Sequence, residues 1–130
     1  MKIKDSKETL LAIIIRKEEM INDKDFATEN EQEIQLASFN LSKGTEILKH
    51  YHPEQKRIVV STSEVITLIE GKLKINIYDD NQELIASEII TSGDTVGLFS
   101  GGHGIEVLEH SKFVESKQGP YIENIDKIRF

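Results

Sequence analysis

The 130 residues of this chain include no cysteine, only two prolines and few aromatic side chains. Without cysteine there are no disulfides, thiolate ligands or cysteine nucleophiles, so any metal must be held by imidazole and carboxylate, and the chain suits a reducing cytoplasm. Positive charge is scarce too. Sixteen Lys and Arg stand against 23 Asp and Glu, a net charge of −7, and no basic stripe marks a nucleic-acid face. Long apolar runs are missing as well. The longest, Leu10 to Ile15, is followed at once by Arg16-Lys17-Glu18-Glu19; it is too short for a membrane span and lacks the cleavage site of a signal peptide. These absences predict a cytoplasmic protein with neither nucleic acid nor membrane as a partner. The length suits one domain able to bury a core without staples.

What the chain does have is a series of short β-patterned segments. Three consecutive isoleucines in Leu10 to Arg16 favour a pleated surface, because β-branched side chains are stiff at χ1. Residues 17 to 31 are charged and unpatterned and read as loop, with one helical turn as an option at Glu18 to Ile21. From Glu33, Gln35, Ala37, Phe39 and Leu41 alternate with Ile34, Leu36, Ser38 and Asn40, a strand with apolar character on both faces. After the turn Ser42-Lys43-Gly44, strands are expected at Glu46 to His52, Arg57 to Val60 and Glu64 to Glu70. Pro53 ends the first of these. Leu73, Ile75 and Ile77 point inward from the next strand, with Lys74, Asn76 and Tyr78 outward. Asp79-Asp80-Asn81 makes a hairpin turn into Glu83 to Ile90. Thr95 to Phe99, a glycine-rich turn at Ser100 to Gly104, Ile105 to Leu108 and Phe113 to Lys117 complete the pattern. Many short strands at turn spacing, with no convincing helix, predict an all-β sandwich or barrel.

The chemistry gathers on histidine. His50 and His52 are one residue apart, which on a strand puts both imidazoles on one face. His103 stands in the glycine-rich turn. A third histidine and a neighbouring carboxylate would complete a set suited to one divalent ion such as zinc, iron, nickel, manganese or copper. The plainer readings are a solvent-facing His-x-His pair and a turn histidine flanked by glycines for backbone freedom. His110 reads as a solvated turn residue. Gln35 is either a satisfied core amide or a pocket group. Gln118 and Tyr121 are weaker pocket candidates, and Lys117 and Arg57 are possible cations for an anionic substrate.

Gly44, His50, His52, Glu64 and Gly71 reproduce the spacings of the first cupin motif, except that the gap before the glutamate is eleven residues instead of three or four. Gly93 with Asp94, then Gly101 and His103, follow the second motif approximately; Phe99 replaces its proline, one residue is missing before the histidine, and Val107 replaces its asparagine. The chain therefore resembles the cupin superfamily over about 33 to 118, in its small single-domain form. That resemblance implies a double-stranded β-helix, or jelly-roll barrel, spanning residues 1 to 130. The core barrel would be 33 to 118, with an N-terminal strand at 10 to 16 and a tail at 119 to 130. It also implies one divalent metal on His50, His52, Glu64 and His103, with Glu46 and Glu54 as substitute carboxylates. A small molecule would be bound or transformed in the barrel, with a weaker pointer to bacterial surface-sugar pathways; the alternative is a non-catalytic binding or sensing module with a structural metal. A homodimer is implied as well, with Leu10 to Ile15 as a possible edge strand between subunits.

Overall fold

The computed structural model describes residues 1–123 and 125–130. Among them are ten strands: β1 (Lys2–Lys4), β2 (Leu10–Ile15), β3 (Lys24–Phe26), β4 (Ala37–Phe39), β5 (Glu64–Glu70), β6 (Lys72–Tyr78), β7 (Leu84–Thr91), β8 (Thr95–Leu98), β9 (Gly102–Val107) and β10 (Lys112–Lys117). One 3₁₀ turn, Lys17–Glu19, is the only helical element among the described residues, and no helix there is long and apolar enough to cross a membrane. All pairings are antiparallel. A five-stranded sheet runs β1-β2-β8-β5-β10, a three-stranded sheet runs β7-β6-β9, and β3 pairs with β4 alone.

The two larger sheets pack face to face as a β-sandwich. Ile66 and Leu68 of β5 and Val96 and Leu98 of β8 share one core with Leu73, Ile75 and Ile77 of β6 and Ile90 of β7. Each such fully buried side chain contributes roughly 1.5–3 kcal/mol. The inward parity expected for β6 is the one observed. A second, smaller core lies on the outer face of the five-stranded sheet, where Ile13, Leu36 and Phe99 pack with Ile34 and Ala27 from the β3–β4 region. This explains the unbroken apolar run of β2, whose middle four residues are buried. A strand covered on both faces has no polar side to alternate with.

Several expectations need correction. β2 lies between β1 and β8, so it is an interior strand of the sheet and offers no edge to a second subunit. β1 and β3 were not expected; their three residues each are too few to show a period. The strand expected from Glu33 shrinks to Ala37–Phe39.

The largest difference is at 40 to 63. No strand forms at Glu46 to His52 or at Arg57 to Val60, and every residue from Phe39 to Thr62 is exposed. Strand propensity expresses itself only on a partnered, half-buried surface, and this segment has neither partner nor cover. Its anchors are a turn, Thr45 N–H to Ser42 O at 3.1 Å, and the Glu33 carboxylate, which accepts the amides of Val60 (3.0 Å) and Ser61 (3.1 Å). Brief trypsin treatment is therefore expected to cut first at Lys43, Lys49, Lys56 or Arg57, leaving the sandwich whole. Mass spectra in which the first fragments instead end within β5 to β10 would contradict this assignment.

Candidate functional site

The alternation of β5 places Glu64 on the same inward face as Ile66 and Leu68, at the strand's first residue and hence at one end of the sandwich. In the ladder, Glu64 stands opposite Leu98 of β8 on one side and Lys117 of β10 on the other. Paired residues point to the same face, so the lysine also turns inward. From the other sheet, β9 brings His103 opposite the buried Ile77. The three polar groups thus meet because the start of β5, the end of β10 and the start of β9 coincide.

Glu64 is only 6% exposed. His103 Nε2 lies 3.1 Å from its Oε2, and Lys117 Nζ lies 3.3 Å from its Oε1. A buried carboxylate without partners would be costly, and here each oxygen faces a nitrogen. Lys117 also reaches Glu115 at 3.3 Å, two residues back on the same strand face. The Glu115 carboxylate, with help from Glu64 and against the opposing effect of burial, holds the Lys117 ammonium above its ordinary range. His103, with 32% of its side chain exposed, looks into a cavity of about 520 Å³. Tyr78, Leu98 and the segment Asp126–Phe130 form other parts of that cavity's wall.

Of the residues proposed from sequence, Glu64 and His103 are brought together. His103 stands on strand β9 and not in a turn, because its backbone joins the β6 ladder. His50 and His52 are not brought to them. Both lie in the exposed segment, their rings 5.2 Å apart and edge-on, and neither lines the cavity. Glu46, Glu54 and Arg57 are exposed in the same segment. No group of three His, Asp or Glu side chains placed to hold an ion occurs among the described residues. A resident divalent ion takes three or four protein ligands. Glu64 and His103 alone, with an ammonium beside the carboxylate, do not fit one as they stand.

The pocket roles suggested for the glutamines also change. Gln35 is exposed and ties its own loop. Its Nε2 donates to Glu29 O (3.0 Å) and Gln32 O (3.1 Å), and its Oε1 accepts from the Thr28 hydroxyl (3.2 Å). Gln118 accepts the Ser63 amide at 2.8 Å, fastening the end of β10 to the entry of β5, while its Nε2 is buried without a partner among the described residues. Tyr121 is exposed, its ring centroid 5.7 Å from Lys117 Nζ. His110 is exposed, in accord with a solvated residue.

Two parts of the cavity escaped sequence reasoning. Tyr78, assigned outward by alternation, does stand opposite Gly102 on the face away from Ile77 and His103, and its ring reaches Phe130 at 5.3 Å. Asp126–Phe130 carries no period that announces a wall; a lone aromatic at the end of a polar stretch was the one available signal.

No family model, curated protein or solved structure matches this chain. Function must then be argued from the site itself.

Proposed function

We propose that this chain is a cupin-type jelly-roll protein that binds a small polar molecule at the mouth of its sandwich, with Glu64 and His103 as the groups that meet it. One observation carries the reading: a carboxylate is buried on the wall of a cavity of about 520 Å³, where core packing alone would favour an apolar side chain. The charge of Glu64 is compensated by Lys117, and its second oxygen faces His103 Nε2, so the buried carboxylate is tolerated by the fold. Leu98 and the Tyr78 ring offer apolar contact, while imidazole and carboxylate offer a donor and an acceptor side by side. The same pair can pass a proton to or from a ligand hydroxyl or carbonyl, so a binding module and an acid–base enzyme share this geometry.

The test is a fragment screen by protein-observed NMR, followed by titration of the hits against Glu64→Gln and His103→Ala. Hits in the cavity are expected to bind about tenfold more weakly to Glu64→Gln, the loss that a charged hydrogen bond commonly brings. Unchanged affinity in both variants would remove the site from consideration.

A second reading, the metal-binding cupin, is favoured by one distance. Two ligands of a single ion commonly stand about 3 Å apart, given metal–ligand bonds of about 2.1 Å, and His103 Nε2 and Glu64 Oε2 are 3.1 Å apart. It requires the segment at 40 to 63 to carry His50 and His52 over the pair. Elemental analysis of protein purified without a histidine tag, repeated for His50→Ala and His103→Ala, decides it. Metal that is undiminished in both variants excludes this ligand set.

A further inference from the structure

We propose that residues 57–60 are a strap that adds as a strand to the free edge of β9, closing the sandwich beside the cavity, and that the Glu33 carboxylate holds this strap open. The strap stands whatever the cavity binds.

The edge itself is open. Leu108 N–H donates to Lys72 O at 3.0 Å, which makes these two a bonded pair of the β6–β9 ladder. Bonded and non-bonded pairs alternate along an antiparallel ladder, so the amides and carbonyls of His103, Ile105 and Val107 point away from β6. None of them has a backbone partner among the described residues. Such a row is a template for one more strand, and β9 carries neither lysine nor proline to blunt it.

Reach, direction and register name the occupant. Thr62 lines the cavity together with His103 and Gly104, and two extended residues, about 7 Å of chain, carry it back to Val60. β5 and β9 both start at the end of the sandwich where Glu64 meets His103. A chain that enters β5 through Arg57 to Thr62 and lies along β9 is therefore antiparallel to it. With Val60 opposite His103, Ile58 meets Ile105 on the inner face, where Ile105 already packs on the core. Ile58 and Val60 are 83% and 85% exposed, and this register covers both. On the outer face Arg57 then stands opposite Glu106, whose Oε1 accepts from Lys74 and Asn76 and whose Oε2 is left for the guanidinium. In the same register Val60 N–H would donate to the His103 carbonyl. It now donates to Glu33 Oε1 at 3.0 Å, while Oε2 accepts the Ser61 amide at 3.1 Å and the Ser61 hydroxyl at 2.8 Å. Glu33 thus occupies the donor that closure needs.

The chain has no cysteine, so engineered thiol pairs report on the strap without background. Val59→Cys/Gly104→Cys puts thiols on directly opposed residues of this register, and Ile58→Cys/Gly104→Cys puts them on opposite faces. A Cβ at Gly104 meets nothing closer than the Tyr78 ring at 3.8 Å, so the position accepts it. Both pairs are placed in a glutathione redox buffer at low protein concentration, and the disulfide is followed by mass spectrometry. The first pair is expected to close within one chain about tenfold faster than the second. Adding Glu33→Ala is expected to speed it about tenfold further, the population shift that loss of charged hydrogen bonds commonly brings. In the cysteine-free chain, Glu33→Ala is expected to slow hydrogen exchange of the Ile105 amide about tenfold and to leave that of Gly104, already bonded to β6, unchanged. Equal rates for the two pairs overturn the strap, as does a disulfide that joins two chains, which would give the edge to a second copy. Crosslinking and exchange that ignore Glu33→Ala overturn the latch.

Discussion

Replacing Asp94 by alanine is expected to lower stability by about 3 kcal/mol, and the midpoint of thermal unfolding by on the order of 10 °C. The Asp94 side chain is 1% exposed and sits in the turn between β7 and β8. Its carboxylate accepts the amides of Thr91 and Lys17, both at 2.9 Å, and faces the Thr91 hydroxyl and Arg16 Nη1, both at 3.2 Å. Arg16 is held in turn by Glu88 at 3.0 Å and by the Ile89 carbonyl. One carboxylate thus joins the end of β2 to the β7–β8 turn. Alanine would leave two part-buried amides and a guanidinium without this acceptor.

The same residue gives a pH signature. Burial alone would raise the Asp94 pKa, but the Thr91 and Lys17 amides and the Arg16 guanidinium outweigh it, and the carboxyl is held below its ordinary 3.8. A depressed folded-state pKa means stability that is fully present above the unfolded value and is lost as pH falls through the folded one. Thermal unfolding followed by circular dichroism from neutral pH downward should show the wild type losing stability below that value. The alanine variant should start lower and have a flatter acid limb. A variant within about 2 °C of wild type at neutral pH would show that Asp94 does not hold this junction.

The second large effect separates two glycines that look alike in sequence. Gly71 joins β5 to β6 at φ +95°, and a methyl group there would meet the His110 carbonyl oxygen at 2.2 Å and Ser111 Cα at 2.8 Å. Both are backbone atoms of the turn before β10, so neither yields cheaply. Gly44 has nearly the same backbone angle, φ +91°, yet a methyl group there would meet nothing within 4 Å. Alanine at either position incurs about 1 kcal/mol for the left-handed conformation, and only Gly71→Ala adds the clash. Urea unfolding is expected to show Gly71→Ala destabilised by about 3 kcal/mol or more and Gly44→Ala by about 1. Equal losses would mean that the turn before β10 moves aside freely.

Those two glycines, which the motif spacing treated as a matched pair, mark where sequence reasoning succeeded and where it stopped. β5 and β6, with the turn between them, were legible because their period of two is clean and their turn needs glycine. Glu64 and His103, both chosen from sequence as candidates, do lie side by side, because both stand on segments that become strands. The expected strands at Glu46 to His52 and Arg57 to Val60 had the right residue types and no neighbour to pair with. The two histidines they carried were displaced with them. Gln35 looked like a polar group on a core face; the loop that folds back over it gave it local carbonyls instead.

By itself, the sequence determined the class of the fold, most strand positions from Glu64 onward and the inward side of β6, since local stiffness, turn chemistry and alternation act over a few residues. Only the tertiary structure decided that β2 lies inside a sheet, that Lys117 shares a face with Glu64, and that Phe130 packs beside Tyr78. Those facts depend on which strands become neighbours. Neighbourhood is set by the joint burial of both sheets, which no short stretch of the chain encodes.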